Sequence, residues 1–181
     1  MVKSNENVFL ENVQILWPNF SGVKTDYTPA GTRQFNCQLT EDQKKLLLDR
    51  GYNVKEHIPT NPEYDTIYTL RIGFGWNSDY PQFDPKIVMV ENKRTIPLTK
   101  ENVGVLDGAD IQYADLEIRP YHWTVNKNSG VAAKLATGYF YTQANRVEER
   151  YREYAKEEGH LDTIEFQKIE KQHQAGLVGT D

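Results

Sequence analysis

Asp110-Ile111-Gln112-Tyr113-Ala114-Asp115-Leu116-Glu117-Ile118-Arg119-Pro120-Tyr121-His122-Trp123-Thr124-Val125 reads as one long β-strand. Asn126-Lys127-Asn128-Ser129-Gly130 supplies a turn, and Val131 to Tyr141 the returning strand. Side chains alternate across a strand, so Leu116 and Ile118 fall on one face and Glu117, Arg119, Tyr121 and Trp123 on the other. Aliphatics on one side with Arg-Tyr-Trp on the other suit a surface that packs a core and presents a platform. Two readings of the far end stay open. If the phase holds through Pro120, Tyr121 and Trp123 are displayed; if Pro120 forces a bulge, the phase flips and both rings are buried.

Outward from the hairpin, extended segments dominate. Val8 to Trp17 alternates Val13, Ile15 and Trp17 against Gln14 and Leu16, with Trp17 expected in the core and Pro18 as the stop. Asn19 to Gly31 is rich in turn formers. Arg33, Phe35, Cys37 and Leu39 share one face of the next strand. Thr40 with Gln43 forms a capping box before a short helix ending ahead of Gly51. Thr66 to Phe74 and Lys86 to Val90 are strands, and an aromatic loop, Trp76 to Pro85, lies between them. Thr99 is expected to cap a second short helix over Lys100 to Leu106. The sum is an all-β core of roughly five or six strands with two short helices. From Gln143 onward the sequence becomes charged and helix-forming, without a broad apolar stripe.

The 181 residues suit one domain with an extension, and the net charge of -5 at first argues against a nucleic-acid partner. Its distribution softens that. Beyond Gln143 nine acids face six bases, a net -3, which leaves the remainder near neutral at -2. Cys37 is the single cysteine, so no internal disulfide forms, and a reducing, intracellular setting is expected. No run of apolar residues reaches the ~20 that span a bilayer. The four histidines are scattered, and no phosphate loop or nucleophile elbow is present. Asp107, Asp110, Asp115 and Glu117 are the acids that a metal site would have to recruit. No catalytic residue, metal or cofactor is assigned.

What remains is aromatic and basic. Bases stack on aromatic rings whatever their identity, and cations track phosphates. Arg119, Tyr121 and Trp123 are one candidate set, extended by Lys134 on the returning strand, Arg33 and Lys86 on others, and the loop aromatics Trp76, Tyr80 and Phe83. A loop offers little core to bury them, so they favour binding or a dimer contact.

Several short motifs resemble phage-encoded single-stranded-DNA-binding proteins with an OB-fold. They are Trp17-Pro18-Asn19-Phe20-Ser21-Gly22, Gly31-Thr32-Arg33-Gln34-Phe35, Gly51-Tyr52-Asn53-Val54-Lys55, Ala114 to Trp123, and Ser129 to Leu135. In that order they cover Val8 to Tyr141. The resemblance implies a partly open Greek-key barrel over residues 7–142 that coats single-stranded DNA in phage replication or recombination, commonly as a homodimer in the host cytoplasm. It adds Phe20, Phe35 and Lys55 to the candidate DNA-binding residues. The charged extension, 143–181, departs from the short acidic tail of that family, which puts recruitment of replication or recombination proteins through it in doubt. Two rivals stand beside this: a phage protein-interaction module on the same barrel, acting as inhibitor or assembly factor, and a metal-dependent nuclease.

Overall fold

A computed structural model describes residues 5–143; all but the first residue of the expected extension lies outside them. Within them the chain forms β1 (Val8–Asn19), β2 (Arg33–Leu39), α1 (Glu41–Asp49), β3 (Lys55–His57), β4 (Ile67–Phe74), β5 (Lys86–Glu91), β6 (Arg94–Leu98), β7 (Asp110–Val125) and β8 (Asn128–Gln143). Five of these close on themselves. β1 pairs with β2 and β7, β2 with β4, β7 with β8, and β4 meets β8 in parallel. That circuit is the OB-type Greek-key barrel. Its closing seam is short, Ile72 opposite Ala133 and Gly73 opposite Lys134.

The edge of β8 away from β7 serves two neighbours, β4 and β5. Below the seam, Thr137 to Thr142 carry β5 in parallel, and β5 carries β6. β6 is a strand that the sequence did not announce, because Pro97 reads against one; it is tolerated at this sheet edge, where no ladder donor is needed. The turn before it has Asn92 and Lys93 both at positive φ, 51° and 64°, which matches the twist of a two-residue hairpin.

Inside the barrel, strand alternation, with a register shift in β1 between Leu10 and Val13, delivers Leu10, Val13, Ile72, Leu116, Ile118 and Leu135, all buried. Phe20, Phe35, Phe74 and Phe140 cluster there. Phe20 and Phe35 stack at 5.3 Å, and Phe140 meets both edge-on at 5.1 and 5.6 Å. α1 begins as expected: the Thr40 hydroxyl accepts from the Gln43 N–H, and the Gln43 side chain accepts from the Thr40 N–H.

Three local expectations need correction. Pro18 does not stop β1, which continues to Asn19 through a bulge, and Trp17 is 57% exposed at φ 49° rather than core. The second helix is only a 3-10 segment, Val103–Asp107, while Thr99 starts a turn by donating its N–H to Asn102 Oδ1 at 2.6 Å. The turn of the long hairpin is two residues, Asn126-Lys127, so Ser129 and Gly130 already pair with Thr124 and Trp123.

Candidate nucleic-acid interface

Pro120 pairs with Ala133 in unbroken register, so the strand phase holds and Tyr121 and Trp123 are displayed, 56% and 37% exposed. The register shifts of this hairpin lie elsewhere, between Ile111 and Tyr113 and between Glu117 and Ile118, β8 contributing the extra residue at the second. Trp123 lies flat against its cross-strand partner. A Cβ on Gly130 would come within 2.6 Å of the indole, so only glycine leaves room for the ring there.

A groove of about 820 Å³ runs between this hairpin and the outer face of β2 and β4. Arg33, Lys55, Arg71, Trp123 and Lys134 line it, with Gln34 and Asn36 on its floor. A second hollow of about 590 Å³ adjoins it, sharing Phe74 and Lys134. Trp76, Tyr80, Phe83, Arg119 and Tyr121 line this one. The two together present five cations and one carboxylate, Asp84, whose Oδ1 accepts the Asn77 N–H and closes the aromatic loop.

Cations and rings are interleaved. The Arg119 guanidinium lies over Phe83 at 4.8 Å, Arg33 over Trp76 at 5.2 Å, and Lys134 Nζ is 5.7 Å from the Tyr121 ring. Lys134 lines both hollows, its ammonium lying beside Gly73, where an added Cβ would sit 3.4 Å from Nζ. Arg33 is held differently. It shares strand parity with the core residues of β2, and at the barrel mouth its Nη1 donates to the Phe20 and Lys100 carbonyls at 3.2 and 3.1 Å. It braces the β1–β2 loop and Trp76 as well as adding charge.

Of the residues singled out from sequence, Arg33, Lys55, Trp76, Tyr80, Arg119, Tyr121, Trp123 and Lys134 come together here. Phe20 and Phe35 do not: both are fully buried in the aromatic cluster, and neither ring has a face to offer a base. Lys86 is exposed but lines neither hollow, because β5 runs along the opposite half of β8 from the seam. Arg71 was missed, although β4 alternation places it opposite the buried Leu70 and Ile72 and so outward.

Three of the four acids are occupied structurally. Asp107 accepts the N–H groups of Phe20 and Ser21 at 2.7 and 3.0 Å, Asp115 that of Asn12, and Glu117 the Asn7 amide. Among the described residues no three His, Cys, Asp or Glu side chains gather in a metal-binding group. Burial pushes the Cys37 thiol up to about 12, partly offset by backbone hydrogen bonds. Among the described residues no helix is long and apolar enough to cross a membrane.

An OB-type barrel whose groove interleaves cations with aromatic rings defines a single-strand nucleic-acid-binding class. The chain belongs to the putative phage ssDNA-binding domain family, whose model matches residues 1–176. No curated protein matches it by sequence. Among solved structures it is similar to the C-terminally truncated single-stranded DNA-binding protein from bacteriophage Enc34, with TM-score 0.52 and 10% identity over 77% of this chain and 87% of that one. The Enc34 protein in complex with ssDNA gives TM-score 0.51 and 9% identity over 77% and 88%. Identities this low carry the fold alone.

Proposed function

We propose that this protein coats and protects single-stranded DNA, with little sequence preference, during phage DNA replication or recombination. One observation carries the reading: a chain of net charge -5 gathers five cations and a single carboxylate along one continuous aromatic-lined surface. Arg71, Lys55, Arg119 and Lys134 neutralise phosphates and so release the counterions condensed along the strand, and bases stack on Trp123, Tyr121 and the Trp76–Phe83 loop. Stacking uses ring faces that every base has, so sequence is not read.

The proposal extends to a non-enzymatic protein without cofactor, working as a homodimer beside phage replication or recombination proteins in the host cytoplasm. Residues 7–142 form its binding domain and 143–181 a separate extension. Fluorescence anisotropy with labelled oligo-dT and with duplex DNA tests it. Binding to oligo-dT, weakened steeply by salt and at least about tenfold tighter than to duplex, supports the reading. Equal or absent binding refutes it, and Mg²⁺-dependent cleavage would point to the nuclease instead.

A further inference from the structure

Trp17 lines neither hollow, yet it has the least ordinary placement of any large side chain described. Its backbone sits at φ 49°, a region that bulky residues rarely enter, and more than half of its surface faces water. Neither feature serves the core. The indole instead meets His57, ring centroids 5.2 Å apart and tilted by 59°. His57 Nε2 is in turn hydrogen-bonded to Thr69 Oγ1 at 2.9 Å, and Thr69 has no exposed surface. β1 and β3 are separated in the sheet by β2 and β4. A contact between Trp17 and His57 therefore spans the outer face of those two strands, the face whose Asn36 and Arg71 belong to the groove.

From these placements we propose that the Trp17–His57 pair is a further stacking site for the same single strand, taken up by nucleotides that run off the groove past Lys55. The proposal rests on the single-strand reading above. Lys55 and His57 are two residues apart on β3 and so project from one side of it. Lys55 lines the groove, so a phosphate held there leaves a neighbouring base free to reach the indole. The bulge sets Trp17 in this position at the expense of backbone strain. Strain of that kind persists where the surrounding structure holds it, and it clusters at ligand sites.

The test compares oligonucleotide lengths. Labelled oligo-dT of about 6 and about 16 nucleotides covers the lower part and the upper end of the site sizes of single OB-folds. Trp17→Ala should leave affinity for the short probe within about twofold and weaken the long one by about 5- to 150-fold, one base stack. His57→Ala should reproduce part of that length-dependent loss, and Trp17→Phe should keep most of the affinity. Thermal melts accompany each variant; if Trp17→Ala fails to fold, His57→Ala and Trp17→Phe carry the comparison. Equal affinity for the long probe overturns the site, as does an equal loss on both lengths. A change of sedimenting mass without loss of long-probe affinity would assign the ring to contact with a second copy and overturn it too. Wild-type protein that binds neither probe would remove the groove reading itself, a result distinct from all of these.

Discussion

Trp123→Ala separates a DNA platform from a structural tryptophan. The ring is 37% exposed, so about two-thirds of it is covered, mainly by the hairpin and by Gly130 beneath it. An indole of roughly 200 Å² covered to that extent contributes about 3 kcal/mol at ~25 cal/mol/Å², and alanine recovers part of that. The expected stability loss is therefore about 2 kcal/mol, below the ~3–5 kcal/mol of a fully buried aromatic. If bases stack on the ring, oligo-dT affinity should fall by ~1–3 kcal/mol, about 5- to 150-fold. Urea unfolding and anisotropy titration on one purified variant measure both quantities. A companion change, Gly130→Ala, keeps the ring but drives a Cβ to within 2.6 Å of it, so the indole must shift. Affinity should fall there as well. Refutation would be a core-sized stability loss in Trp123→Ala while the folded fraction binds oligo-dT as tightly as wild type.

Four other outcomes are expected. Affinity should fall with salt at a slope of roughly -0.7 per phosphate neutralised; Arg71→Ala, Arg119→Ala and Lys134→Ala should flatten it, and Lys86→Ala should leave it unchanged. Arg33→Lys keeps the charge but loses the planar fork over Trp76, so it should bind oligo-dT nearly as weakly as Arg33→Ala, whereas full rescue would assign Arg33 to a phosphate alone. Truncation after Gln143 removes a net -3; the fragment should give a cooperative melt and equal or tighter oligo-dT binding, and loss of the melt would show that the extension belongs to the fold. Cys37 is held neutral by burial, and Tyr52 and Tyr141 are raised for the same first reason, so the folded state keeps protons that the unfolded chain releases. Their stabilisation is complete below the unfolded thiol value and is lost as pH rises toward about 12, so urea midpoints should decline from about pH 9 upward.

Much of this was legible in the chain itself. Period-2 alternation in β7 assigned Leu116 and Ile118 to the core and Glu117 and Arg119 to the outside, because a strand offers only two faces; Tyr121 and Trp123 were decided only by the unbroken register at Pro120. The same rule, applied to β4, would have found Arg71. Thr40 and Gln43 announced α1 because a capping box is closed by residues three apart. Local spacing is enough for such features.

Tertiary structure decided the rest. Whether a ring on the inward parity of β2 is ligand or core depends on what closes over it, and Phe20, Phe74 and Phe140 close over Phe35. Trp17 obeyed the core pattern of β1 up to Ile15, but the bulge at Trp17–Pro18 turned it outward; the register of β2 against β1 fixes that bulge, and nothing in the neighbouring residues does. Arg33 became a brace because the Phe20 and Lys100 carbonyls, far from it in sequence, converge at the barrel mouth. The groove exists only because β4 and β8 meet at two residue pairs, bringing Lys134 across Gly73 and joining two hollows into one basic path. Alternation along a strand is a local steric property carried by the sequence, whereas closure, register and convergence depend on contacts between strands distant in the chain.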